Sequence, residues 1–235
     1  MNISDILLGA AIIIAAPAVN RVGEAKAQQI HPDQVVVDSP FVHDPVLAYE
    51  NGKYYLYSTG HGISQMTSAD RKHWTLCRDG VLKNHEIPAW THDSVPGFHT
   101  HIWAPDVIHY RNKWYLAYSC STFGKNTSAI GLLSNTSLAN VNGWKDEGCI
   151  LASEGKRDNW NAIDPNFVID DKGNPWMTWG SFWDGIQLVK LDKKTMHVKK
   201  GAKPQTIARR HAVGDVSAEP NPTSKFAGTN AIEAP

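Results

Sequence analysis

The chain has no excess of either charge. Its 23 Lys and Arg balance 23 Asp and Glu over 235 residues, so no strong field draws in nucleic acid or an acidic membrane surface. Cysteine is scarce: Cys77, Cys120 and Cys149 stand far apart, and no pair has the spacing of a zinc knuckle. A zinc ribbon and a disulfide-dense scaffold are excluded, while one disulfide plus a free thiol, or three buried thiols, stay open. Beyond the leader no segment has the periodicity of an amphipathic helix. The one long apolar run, residues 6–19, is too short to span a bilayer comfortably and is interrupted by Pro17. Followed by the small-x-small site Ala25-Lys26-Ala27, it makes residues 1–27 read as a signal peptide. Met-Asn-Ile-Ser-Asp lacks the usual opening Lys or Arg, which leaves open a misplaced start or an uncleaved anchor. The remaining chain, residues 28–235, is expected to be secreted or periplasmic, monomeric and free of the membrane.

Aromatic residues are plentiful, with 9 Trp, 7 Tyr and 6 Phe in a chain that is 42% hydrophobic. That composition fills a substantial core and leaves aromatic faces for a ligand. After about residue 36 a unit recurs: a carboxylate near a proline, an apolar pair, a turn, then an aromatic strand. The first copy is Asp44-Pro45-Val46-Leu47, a hairpin turn at Glu50-Asn51-Gly52-Lys53, then Tyr54-Tyr55-Leu56-Tyr57-Ser58. The second runs from Pro105-Asp106-Val107-Ile108 through Arg111-Asn112-Lys113 to Trp114-Tyr115-Leu116-Ala117-Tyr118-Ser119. The third runs from Asp164-Pro165-Asn166-Phe167-Val168-Ile169 through Asp171-Lys172-Gly173-Asn174 to Trp176-Met177-Thr178-Trp179. A fourth opens at Asn230-Ala231-Ile232-Glu233, nearly repeating Asn161-Ala162-Ile163-Asp164.

The carboxylates are spaced by 62 (106 − 44), 58 (164 − 106) and 69 (233 − 164) residues, room for four strands with generous loops. Ile63–Ser68 before His73-Trp74, and Ala129–Ser134 before Trp144, supply third and outer strands. Four-stranded units in series indicate propeller blades, whereas a β-sandwich has no reason to repeat at this period. The expectation is all-β: about three blades plus the start of the fourth, with residues 201–229 as a long loop before it. The last residues, Ala234-Pro235, stop two positions into that fourth first strand, so a truncated product is expected.

Glycoside hydrolysis needs one carboxylic acid to protonate the leaving oxygen and one carboxylate to activate water or attack carbon. Asp44, Asp164 and Glu233 stand in apolar surroundings, and each begins a unit. First strands of blades line a propeller's central channel, so the three would converge. Asp106, aligned on its apolar pair, takes the register of Pro45 and is read as structural. His99-x-His101 puts two imidazoles on one strand face, but no third ligand has a characteristic spacing, so with His92 they read as a solvated loop. Asn126-Thr127-Ser128 and Asn135-Thr136-Ser137 fit the N-glycosylation sequon.

Here the chain resembles the endo-acting arabinanases of glycoside hydrolase family 43. The resemblance rests on His43-Asp44-Pro45, Trp103-Ala104-Pro105-Asp106, Cys120-Ser121-Thr122-Phe123-Gly124, Asn161-Ala162-Ile163-Asp164-Pro165, Trp179-Gly180-Ser181-Phe182-Trp183 and Asn230-Ala231-Ile232-Glu233-Ala234-Pro235. It implies a five-bladed β-propeller that inverts the anomeric centre while cutting internal α-1,5-arabinofuranosyl linkages of arabinan. It also implies that Asp44 is the general base, Glu233 the general acid and Asp164 an orienting carboxylate that raises the acid's pKa. His43, Trp103, Phe123 and Ser181 would line the arabinose subsite, and a structural calcium would be held by a His of a later blade. No cofactor is required for the chemistry. An exo-acting arabinofuranosidase or xylosidase, or an inactive fragment or non-catalytic sugar-binding propeller, is the rival reading. Retaining fructan hydrolases place Arg before the middle Asp-Pro, where this chain has Ile163.

Overall fold

The computed structural model describes residues 35–210 and 232–235. The expected signal peptide and all but the first residues of the expected 201–229 loop lie outside the described residues. In chain order, β1 (Val35–Val37), β2 (Val46–Glu50), β3 (Lys53–Ser58), β4 (Gly60–His61), β5 (Ser64–Ser68) and β6 (Trp74–Cys77) come first. Strands β2, β3, β5 and β6 form an antiparallel meander, and β1 adds along the outer strand β6. β4 leaves this sheet and pairs with the next.

A helical turn, α1 (Trp90–Ser94), leads to the second meander: β7 (His101–Tyr110), β8 (Lys113–Cys120), β9 (Ser128–Asn135) and β10 (Lys145–Ser153). The third is β11 (Asn166–Ile169), β12 (Pro175–Trp179), β13 (Ile186–Lys190) and β14 (Gln205–Ala208). Residues 205–208, expected in a loop, are therefore the outer strand of the third blade. A bridge between Ser181 and Glu233 opens the fourth. Among the described residues no helix is long and apolar enough to cross a membrane.

Turn chemistry closes the hairpins as the sequence predicts. Asn51 and Gly52 adopt φ of 48° and 82°, the left-handed pair that a two-residue hairpin needs. The sheets pack face to face in chain order, with one apolar cluster between the first and second and another between the second and third. The middle sheet is therefore covered on both faces, and every residue of β9 is buried. That explains why Ser128–Asn135 reads as a continuous run of small and apolar residues rather than an alternation. Gly131 is required there because a Cβ would strike the ring of Tyr118. Fully buried side chains such as Leu116, Ile130 and Leu132 stabilise by about 2 kcal/mol each.

Polar ties join the blades at equivalent places. Glu50, ending β2, accepts from Trp114 Nε1 at 2.7 Å, Ser137 Oγ at 2.7 Å and Leu138 N at 2.8 Å in the second blade. Burial pulls its carboxyl up, but these bonds outweigh it and hold the pKa below the ordinary value. Tyr110, ending β7, donates to Gly173 O at 3.0 Å in the third. All three cysteines are free thiols, and burial pushes Cys149 up to about 11. Both sequon asparagines are buried, Asn126 at 2% and Asn135 at 3% exposure. The Nδ2 of Asn126 donates to Asp158 O and Trp160 O, and that of Asn135 donates to Asn140 O. Neither sequon is presented to a glycosylating enzyme.

Candidate active site

Each blade opens on a residue before proline in the left-handed region: Asp44 (φ 49°), Ala104 (φ 38°), Asp164 (φ 57°) and, at the start of the fourth, Ala234 (φ 55°). Proline already restricts the residue before it, so four such residues carry backbone strain that packing must hold, a feature that clusters at functional sites. They set the true register of the repeat, 60 residues (104 − 44 and 164 − 104), then 70 (234 − 164). Strand pairing agrees, since Glu50↔Lys53 is matched by Tyr110↔Lys113 and Val46↔Tyr57 by Asp106↔Ala117.

This register corrects two readings. Asp106 takes the place of Val46 rather than Pro45, because the apolar pairs Val46-Leu47 and Val107-Ile108 stand 61 residues apart (107 − 46) while the strands repeat at 60. Glu233 takes the place of Trp103 and His43, one residue ahead of Asp44 and Asp164, although Asn-Ala-Ile-Glu copies Asn-Ala-Ile-Asp.

Asp44 and Asp164 line a cavity of about 220 Å³ together with Asp106 and Asn166, and Ala234 and Pro235 complete its wall. Asp44 is exposed; its Oδ2 accepts from Thr59 Oγ1 at 2.8 Å and contacts His43 Nδ1 at 2.7 Å. Asp164 is half-buried, its amide donates to Ser119 Oγ at 3.0 Å, and the Ala234 amide lies near enough to its carboxylate to favour the anion. Its pKa rises to about 7, first because burial disfavours the anion and then because Asp44 and Glu233 lie close.

Glu233 is exposed, and its Oε2 accepts from Ser181 Oγ at 2.8 Å. The Phe182 amide donates to Ile232 O at 2.8 Å, so the segment 181–182 holds both the backbone and the side chain of the acidic residue. Gly180 is needed before it, because its φ is 132° and a Cβ would strike Gly185 O.

The structure therefore gathers Asp44, Asp164 and Glu233, places His43 on Asp44, and seats Ser181, which is 5% exposed, against Glu233. Trp103 is half-buried, one residue before Ala104. Phe123 is 91% exposed on the loop after β8, no part of the core.

Asp106 is buried and accepts from Phe167 N at 2.6 Å, an inter-blade tie at the cavity wall. Burial pushes its pKa up to about 6 against that bond and one from Val107 N–H. The sequence reading missed Thr59 and Ser119; their signal is their 60-residue separation (119 − 59), the period of the left-handed residues. His101 stacks on His61 with ring centroids 5.1 Å apart, while His92 and His99 are exposed. Among the described residues no three His, Cys, Asp or Glu side chains group to hold an ion. The calcium implied by the resemblance has no donor set among the described residues.

Residues 34–233 match the family model described as glycosyl hydrolases family 43. The chain belongs to that family. It is 40% identical over 197 residues to the extracellular exo-α-(1→5)-L-arabinofuranosidase ArbA of Cellvibrio japonicus, covering 83% of this chain and 54% of that protein. It is 44% identical over 160 residues to the extracellular endo-α-(1→5)-L-arabinanase 1 of Bacillus subtilis, covering 66% of this chain and 48% of that one. Among solved structures, an exo-1,5-α-L-arabinanase from a bovine ruminal metagenomic library superposes with a TM-score of 0.72 at 50% identity, over 84% of this chain and 61% of that one. As a family 43 chain it spans about half the length of the curated relatives it matches.

Proposed function

We propose that this chain carries the acid–base site of a secreted glycosidase that cleaves internal α-1,5-arabinofuranosyl linkages of arabinan with inversion. The observation that carries this reading is that Asp44 and Asp164, opening two blades, line one cavity whose wall is completed by Ala234 and Pro235, the residues that follow Glu233 at the opening of the next. In the proposed reaction Asp44, exposed to solvent, takes a proton from water as that water's oxygen attacks the anomeric carbon. The glycosidic C–O bond breaks as Glu233 gives its proton to the leaving oxygen. Asp164, facing both, holds its own proton more tightly because it is buried beside those two carboxylates. His43 and Trp103 would bound the sugar, and exposed Phe123 would offer an aromatic face to a further ring.

An exo-acting enzyme is the second reading, favoured by the names of two relatives. Incubating the chain with debranched linear arabinan, sizing the products and reading the anomer of new ends by proton NMR separates the readings. Short oligosaccharides with inverted ends are expected; release of arabinose alone transfers the assignment to the exo reading. Retained anomers, or neither cleavage nor calorimetric binding of arabino-oligosaccharides, overturn the proposal.

A further inference from the structure

We infer that Thr59 is a positioning residue for Asp44, a hydroxyl latch that frees the carboxylate from supporting the backbone. Each junction between blades must satisfy the amide of the left-handed residue that opens the next blade, and the third junction differs from the first two. At the first, Thr59 Oγ1 accepts the Ala104 amide at 2.9 Å. At the second, Ser119 Oγ accepts the Asp164 amide at 3.0 Å. At the third, the pairings Val46↔Tyr57 and Asn166↔Thr178 put Gly180 at the place of Thr59. No hydroxyl stands there, and the group beside the Ala234 amide is the Asp164 carboxylate, whose anion that amide favours.

A hydroxyl that accepts through a lone pair still has its proton to give. Thr59 gives it to Asp44 Oδ2 at 2.8 Å, so one side chain ties the carboxylate of the first blade to the backbone of the second. The position equivalent to Asp44 in the second blade is Ala104, so Ser119 has no carboxylate in that register to serve. The contrast assigns the role. At the third junction the Ala234 amide lies against the Asp164 carboxylate, whereas at the first a hydroxyl takes the amide and Asp44 keeps an exposed carboxylate in a fixed place.

This inference rests on Asp44 being the proposed base, and the test separates the two. Thr59→Val keeps the shape and removes the hydroxyl, while Thr59→Ser keeps the hydroxyl and removes a methyl. Turnover of linear arabinan is measured for both, with Asp44→Asn alongside, and the Ala104 amide is followed by hydrogen exchange in the full 235-residue chain. Thr59→Val is expected to lower kcat about tenfold, the weight of one hydrogen bond to a charged group, with KM within about twofold. Ala104 exchange should quicken about tenfold as its acceptor is lost, and Thr59→Ser should restore both. Equal impairment by Val and Ser, or wild-type kcat and exchange in Thr59→Val, overturns the latch. Undiminished turnover in Asp44→Asn overturns the base assignment instead, and the exchange readout, which needs no turnover, still decides whether the hydroxyl carries the junction.

Discussion

Asp44 and Asp164 precede proline in the same left-handed conformation, with φ of 49° and 57°, yet their surroundings differ. Asp44 is exposed and its carboxylate meets two side chains, Thr59 and His43. Asp164 is half-buried, its carboxylate lies beside the Ala234 amide, and burial with two neighbouring carboxyl groups lifts its pKa to about 7. Backbone geometry sets where a carboxylate stands, while the adjoining blade sets how it holds a proton.

The largest effect that can break this comparison is on turnover. Asp44→Asn is expected to cost about 10³- to 10⁴-fold in kcat on linear arabinan, the upper range for a general base. Asp164→Asn should cost about 10²-fold, since Asp164 tunes its neighbours rather than transferring the proton; equal losses would erase the distinction. The junction on Asp44's side is tested apart from chemistry by Glu50→Ala, which strips acceptors from Trp114, Ser137 and Leu138. About 3 kcal/mol of stability should be lost in urea unfolding.

The pH dependence of stability sharpens the contrast next. Because the folded pKa of Asp164 is raised, the native state binds the extra proton, and stability falls as pH rises from about 4 through 7. Asp164→Asn removes that loss. Allowing for half-burial, it should stabilise the protein by about 2 kcal/mol at pH 8, roughly 5 °C in Tm, with the advantage gone below about pH 4.

A smaller effect is expected from Ser181→Ala, which takes the hydroxyl from Glu233 and should lower kcat about tenfold. The least is a null result: protein made in a glycosylating host should carry no glycan at Asn126 or Asn135 by mass spectrometry, since both side chains are buried and engaged.

Much of this was legible in the letters. Asn51-Gly52 and the aromatic return strands announced the hairpins, and the recurrent carboxylate near proline announced blades and the three acids. The register of Glu233 was not legible, because a near-copy of Asn161–Asp164 stands one residue off when the anchor is the left-handed residue before Pro235. The place of Asp106 was hidden in the same way, by an apolar pair that stands one residue off the period of the strands. The outer pairing of β1 on β6 and the crossing of β4 depend on contacts between distant strands that no local pattern encodes. Thr59 and Ser119 escaped notice because a single hydroxyl near the end of a strand is common, and only the 60-residue period singles it out.

The left-handed residues before proline can be regarded as sockets. Two of the four hold aspartate and two hold alanine, and since the backbone takes the same turn in all of them, the shape of the socket does not depend on the side chain it carries. Aspartate tolerates that conformation better than alanine does. The ring of the propeller therefore offers, at Ala104, a vacant seat beside a buried hydroxyl, Ser119, where one substitution would install a further carboxylate without redrawing the chain. In such a scaffold chemistry is added by filling seats, and the architecture that holds the seats can stay unchanged while the reaction they support is altered.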